Sequence, residues 1–280
     1  MKTRRFFGLS LSNLLLVLWT ALTLIPFVLI LVFSLRNNAD LYSYPLGIGG
    51  SYHPDNYATA WTGPSSSAGM IDYFRNTGIA AAVSLIVSLS VGSTAAYFAT
   101  KLSRRSRAVF LAVFLAGSVV PFVLILIPYF QAFNALSLLS QPWAIGVAYG
   151  VLSLPLVVLV LHSYYSDFPQ ELIESATVDG LGEFASYLRI VLPLSKGAMT
   201  AVGMLVLIYV WGEAQLGIVL LQDPASQTVA VGLLGFQGQF ISELGPLFAG
   251  LSIATIPVII IYLVFNRFIT KGIALGGVFR

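Results

Sequence analysis

The side chains able to do acid–base, nucleophilic or metal chemistry are few and unevenly placed. The 280 residues hold no cysteine, two histidines and eleven carboxylates. Without cysteine there is no disulfide, no thiolate nucleophile and no cysteine metal site. His53 and His162 stand far from any second ligand of suitable spacing, so His53 reads as a loop residue and His162 as a helix-end residue. No Ser/His/Asp arrangement is present, and the absence of any Gly-Lys pair excludes a phosphate-binding P-loop. What stands out is a concentration of acid. Asp167, Glu171, Glu174, Asp179 and Glu183 fall in one stretch, which follows 59 residues, Ala108 to Ser166, without a charged side chain. Such a segment cannot lie in hydrocarbon; it faces water or another protein.

The elements that would carry these carboxylates are two short helices and a tight turn. Asp167 is placed to act as N-cap, Gln170 to complete a capping box, and Pro169 is tolerated in the first turn. Leu172, Ile173 and Ala176 fall on one face, with Glu171 and Glu174 beside it. Gly180 suits the left-handed position after a helix end, and Phe184, Tyr187, Leu188 and Val191 recur at helical spacing before Pro193 stops or kinks the run. The expected product is a two-helix knob with an acidic, amphipathic surface over residues 167–193.

Glu174-x-Ala176-x-x-x-Gly180, followed after nine residues by Ile190-x-Leu192-Pro193, resembles the EAA loop of the permease subunits of binding-protein-dependent ABC importers. Ser175 stands where that family usually has alanine. The resemblance implies that residues 168–191 form the coupling helix that docks into a cleft of an ATPase subunit, with Glu171, Glu174, Ala176, Asp179, Gly180, Ile190, Leu192 and Pro193 carrying the coupling. It extends over nearly the whole chain, which resembles the smaller, six-span carbohydrate permease of the maltose-type family more than its larger partner. Asn56-Tyr57, Asn76, Ala95-Ala96-Tyr97, Pro121, Pro128, Trp211-Gly-Glu213, Gly232, Gly238-Gln-Phe, Ala249-Gly250, Pro257, Asn266-Arg267 and Gly272 follow the family order. Gly212 departs from a common asparagine, and Phe279-Arg280 from a common Lys-Gly. The implied partners are a second permease subunit, two ATP-binding subunits and an extracellular solute-binding protein. ATP and Mg would be bound by those ATPase subunits, with no cofactor in this chain.

Composition sets the class without the motif. The chain is 58% apolar and 9% charged, with a mean hydropathy of +0.90, against about a quarter charged for soluble domains. An all-α integral membrane protein in the lipid bilayer is expected, as one permease domain over 1–280. Its six spans fall near 14–35, 76–100, 108–130, 143–165, 197–221 and 244–265, the first retained rather than cleaved as a signal peptide. Residues 36–75 read as a polar loop with interfacial Tyr52, Tyr57 and Trp61. With the N-terminus inside, Lys2, Arg4, Arg5, Lys101, Arg104, Arg105, Arg107, Arg189, Lys196, Arg267, Lys271 and Arg280 are cytoplasmic and only Arg36 and Arg75 are outside. This bias puts both termini and the acidic knob in the cytoplasm, at the plasma membrane of a bacterium or archaeon. The basic residues sit at helix ends rather than on one face, so no nucleic-acid partner is indicated.

Glu213 is embedded in an apolar run and admits two readings. It reaches interfacial water or caps a neighbouring helix, or else it belongs, together with Trp211, to a translocation path or to the interface with a second permease subunit. Tyr129, Phe130, Phe133, Trp143, Tyr149 and Tyr209 could likewise stack on a sugar or serve as packing and interfacial belts. A stand-alone secondary transporter of a small polar solute is the competing class. It would need coupling residues at the bilayer midplane and often an internal repeat, and neither is evident.

Overall fold

The computed structural model describes residues 2–44, 51–63, 68–236 and 243–278, and the side chains of residues 11–44, 51–63, 68–236 and 243–265. Gly238-Gln-Phe, Phe279 and Arg280, together with the side chains of Asn266, Arg267 and Lys271, lie outside these. No strand occurs among the described residues. The chain divides into two compact units, Met1–Met70 with Leu233–Ile256, and Ile71–Gly232 with Pro257–Arg280.

The first unit is built on α1 (Lys2–Phe33), which carries Pro26 in its interior. The apolar window of Leu11–Phe33 is 0% buried within the protein, so its apolar side chains have lipid or a partner to face. Beyond it, the stretch expected as an open polar loop is locked into α2 (Asn38–Ser43) and α3 (Asp55–Thr62). Three side chains do this. Asn37 caps α2 by accepting from the Asp40 N–H at 2.7 Å. Asn56 donates to the carbonyls of Ser34 and Arg36, both at 2.9 Å. Arg36, only 6% exposed, donates to the carbonyls of Tyr44 and Asp40. Tyr52 and Trp61 are exposed as expected of interfacial residues, whereas Tyr57 turns inward to the Ser34 hydroxyl at 2.8 Å.

The second unit begins in α4 (Met70–Thr100), a single 31-residue helix. It continues through α5 (Arg104–Val119), α6 (Phe122–Ala135), α7 (Pro142–Leu152), α8 (Leu154–Ser166), α9 (Gln170–Val178) and α10 (Glu183–Ser186). A π-helical turn (Tyr187–Val191), α11 (Leu192–Leu194), α12 (Lys196–Gly212), α13 (Gln215–Leu220), a 3-10 turn (Pro224–Ser226) and α14 (Val229–Leu234) follow. α15 (Leu244–Val278) runs unbroken through Pro257. Among the described residues three helices are long and apolar enough to cross a membrane alone: α1, α4 and α15 over Leu244–Phe265. Three further pairs qualify as bent spans, which brings the count to six if each pair is one crossing.

Bends and breaks fall within the stretches 108–130, 143–165 and 197–221. α5 and α6 meet at 92°, because Pro121 lacks an N–H and forces Val120 into an extended conformation. α7 and α8 bend by 47° at Ser153, just before Pro155. α12 ends at Gly212, where Glu213 is extended, so residues 197–221 form two helices rather than one.

α4 packs closely on α7 through two glycines of α7. A Cβ on Gly146 would lie 2.7 Å from the Ala80 carbonyl oxygen, and one on Gly150 would lie 2.8 Å from the Val87 Cβ. Gly146-Val-Ala-Tyr-Gly150 is thus a small-xxx-small stripe that admits a neighbouring backbone.

Candidate functional site

The acidic stretch folds as a helix, a turn and a second helical segment, with a turn chemistry that can be followed bond by bond. At the end of α9 the Gly180 N–H donates to the Thr177 carbonyl at 3.0 Å, and the Leu181 N–H to the Ala176 carbonyl at 2.9 Å. Gly180 has φ +82°. These are the two bonds and the left-handed glycine of a Schellman motif. The start of α9 differs from expectation. Its N-cap position is Pro169, with no side-chain cap, and Asp167 instead closes α8. Gln170 reaches only the Phe168 carbonyl, at 3.4 Å. The capping box fails because the N-cap position falls on Pro169, whose side chain has no acceptor, two residues past Asp167.

Ile173 and Ala176 are buried and hold α9 to the body, while Leu172, expected beside them, is 42% exposed. Glu171, Glu174 and Asp179 face solvent, and Val178 is 88% exposed. The outward surface of the knob therefore combines acid with an uncovered apolar strip. Ser175, in place of the family's alanine, folds its hydroxyl back to the Glu171 carbonyl at 2.7 Å, which leaves the helix surface undisturbed.

The second segment is not a simple α-helix. Between Tyr187 and Val191 it widens into a π-helical turn, closed by the Leu192 N–H on the Tyr187 carbonyl. Pro193 follows, without the N–H that an α-turn would direct to the Arg189 carbonyl. Tyr187 (2% exposed) and Val191 (0%) face inward, and Ile190 and Leu192 are half-buried, whereas Pro193 is exposed. α12 then turns away at 77°.

Tyr187 ties this segment to α4 and α8. Its ring stacks on Tyr97 with centroids 5.0 Å apart, and Phe98, Phe184 and Tyr165 extend the cluster. The Ser93 hydroxyl lies 2.8 Å from the Tyr187 hydroxyl and 2.7 Å from that of Tyr165. Ser93 is wholly buried. The Tyr97 hydroxyl is buried without a hydrogen-bond partner among the described residues, and the Lys101 ammonium lies 5.4 Å from its ring centre. Sequence reading placed Tyr97 and Tyr187 separately and gave no signal for Ser93, because nothing along the chain connects residues so far apart.

Glu213 occupies a second, independent site. It is 8% exposed, at the break between α12 and α13. Its carboxylate accepts from the Leu216 N–H at 2.9 Å, the Gly217 N–H at 3.3 Å and the Tyr149 hydroxyl. Of the two readings open from the sequence, the observed bonds are those of a cap, made on the short helix that follows. A Cβ on Gly217 would lie 2.5 Å from the Val231 side chain, so the glycine lets α13 pack against α14. Trp211 is half-buried, with its ring 6.0 Å from that of Phe74.

Four likenesses bear on this arrangement. The family described as "binding-protein-dependent transport system inner membrane component" matches residues 88–275. The sulfoquinovosyl glycerol transport system permease protein of Agrobacterium fabrum is 29% identical, over 91% of this chain and 88% of that protein. The diacetylchitobiose uptake system permease protein of Streptomyces coelicolor is 26% identical, over 98% of this chain and 89% of its own. Among solved structures, a chain of a bacterial ABC transporter involved in the import of the acidic polysaccharide alginate superposes with a TM-score of 0.76 at 20% identity. The match covers 95% of this chain and 98% of the other, and shows a shared fold.

Proposed function

From the premise that the chain belongs to the family of binding-protein-dependent transport system inner membrane components, we propose that it is the permease subunit of an ATP-driven importer of a sugar or sugar-conjugate, coupled to its ATPases through residues 168–191. The single observation that carries this reading is the construction of the knob. It presents Glu171, Glu174, Asp179 and the exposed Val178 outward, turns at Gly180, and is anchored inward by Ile173, Ala176, Tyr187 and Val191. A surface loop without a mechanical role has no need of so deep an anchor.

The chain carries no phosphate loop, so energy comes from two ATP-binding subunits docked on the knobs of this chain and a second permease subunit. A solute-binding protein delivers the sugar on the other side. Closure of the ATPases pushes the knob, and the helices attached to it exchange an outward-open for an inward-open cavity. The charge distribution supports cytoplasmic termini and a cytoplasmic knob. Glu213, satisfied by three donors, serves as a structural cap, which leaves the half-buried Trp211 as the member of that pair available to the path or to the second subunit.

The test is uptake and ATP hydrolysis by the assembled complex in proteoliposomes, with its binding protein and a panel of disaccharides, chito-oligosaccharides and glycosyl glycerols. Stimulation of both activities by one class is the expected result. Uptake that ignores ATP and follows an ion gradient would overturn the reading.

A further inference from the structure

The Ser93–Tyr187–Tyr165 hydroxyl cluster lies outside the motif residues and is not used by the docking surface. It sits where the second segment of the knob meets α4 and α8. Ser93 is 0%, Tyr165 2% and Tyr187 2% exposed. One serine hydroxyl bridges two tyrosine hydroxyls at 2.7 and 2.8 Å, and the Thr94 hydroxyl approaches Tyr187 at 3.4 Å. The Tyr187 ring is also stacked on Tyr97, one helical turn along from Ser93. Tyr187 therefore grips α4 at two successive turns, by a hydrogen bond and by a ring face.

Two further features mark the cluster as a joint. The backbone at Tyr187 is π-helical, a geometry that recurs at functional positions within helices. On one flank the segment borders an open groove of about 430 Å³, lined by Leu85, Ile86, Leu89, Tyr187, Leu188 and Met199 among others. The segment is thus open along that flank, and Tyr187 joins it to α4 beside the stacked rings of Phe98 and Phe184.

We infer that Tyr187, bridged by Ser93 to Tyr165, is the positioning residue that transmits movement of the coupling loop to α4 and α8. The inference rests on the importer reading and adds the route by which force leaves the loop. Neither Ser93 nor Tyr187 touches solute or nucleotide. Their part is to keep knob and helices moving as one body during ATP-driven closure.

The experiment measures solute moved per ATP hydrolysed by the complete complex in proteoliposomes, for Ser93→Ala and Tyr187→Phe. Ser93→Ala removes one oxygen and leaves the knob's surface unaltered. The expected result is a ratio lowered roughly three- to tenfold, the equilibrium weight of one buried hydrogen bond, in both variants. ATP hydrolysis without solute should be maintained in Ser93→Ala, and Ser93→Thr, which keeps a hydroxyl, should restore part of the ratio. A purely structural role would lower uptake and hydrolysis together and leave their ratio unchanged; that outcome, or a wild-type ratio in both variants, overturns the inference while the importer reading stands. Failure of the unmodified complex to couple uptake to ATP would instead bring down the importer reading and this inference with it.

Discussion

Between residues 171 and 179 three carboxylates stand in solvent, with no salt bridge to a described residue, whereas at residue 213 a single carboxylate is 8% exposed and holds three hydrogen-bond donors. The same functional group thus does two different things in one apolar chain. In the knob the acid has no salt bridge to a described residue and is left facing outward. At the helix break the acid is consumed internally, satisfying N–H groups that a broken helix in an apolar run cannot leave bare. The contrast teaches that a carboxylate in a membrane protein is assigned by its partners, since rarity in the sequence marks both sites equally.

Substitutions can break this contrast, and the largest stability effect belongs to the buried carboxylate. Glu213→Leu removes the acceptor from the Tyr149 hydroxyl and two backbone N–H groups, and we expect a loss of about 3 kcal/mol or more. Thermal unfolding of the purified complex should show it, and Glu213→Gln, which keeps an acceptor oxygen, should lose less. Glu174→Arg and Gly180→Arg should do the reverse, abolishing uptake with membrane insertion and yield intact. At Gly180 the φ of +82° strains any L side chain although nothing lies within 4 Å of the added Cβ, so the damage is to the turn and its docking. Wild-type uptake in both variants would detach the knob from coupling.

Gly146→Leu probes the scaffold beneath both sites. The new side chain meets the Ala80 backbone, and a cost of about 1–3 kcal/mol is expected from forced separation of α4 and α7, again read from thermal unfolding. The smallest effect is expected at Asp167. Because it caps no N–H of α9, Asp167→Ala should change stability by less than about 0.5 kcal/mol. A loss of about 1 kcal/mol would indicate that the N-cap forms after all.

What could be read from the chain divides along the same physical line. Gly180 was readable because a left-handed helix end has few solutions, and an acid run after 59 uncharged residues can only lie outside the hydrocarbon. Hydropathy located the apolar runs but not their bends, since Val120-Pro121 and Gly212-Glu213 interrupt backbone geometry while barely interrupting apolar character. Pro169 likewise defeated the capping box by occupying the N-cap position itself, which the side-chain pattern conceals. The partners of Glu213 and Tyr187 were beyond reach for another reason: Tyr149 and Ser93 are 64 and 94 residues distant in the chain. Gly146-x-x-x-Gly150 was in plain view as a spacing and could have marked the close approach of α4.

The absence of native cysteine offers the most direct test of coupling through the knob. A single Glu174→Cys, paired with cysteines placed around the cleft of the ATPase subunit, should cross-link to that subunit in the assembled complex, and the cross-link should arrest solute-stimulated ATP hydrolysis until it is reduced. Cross-linking at none of those positions, in a complex that still couples ATP to uptake, would contradict the assignment of residues 168–191 as the coupling element.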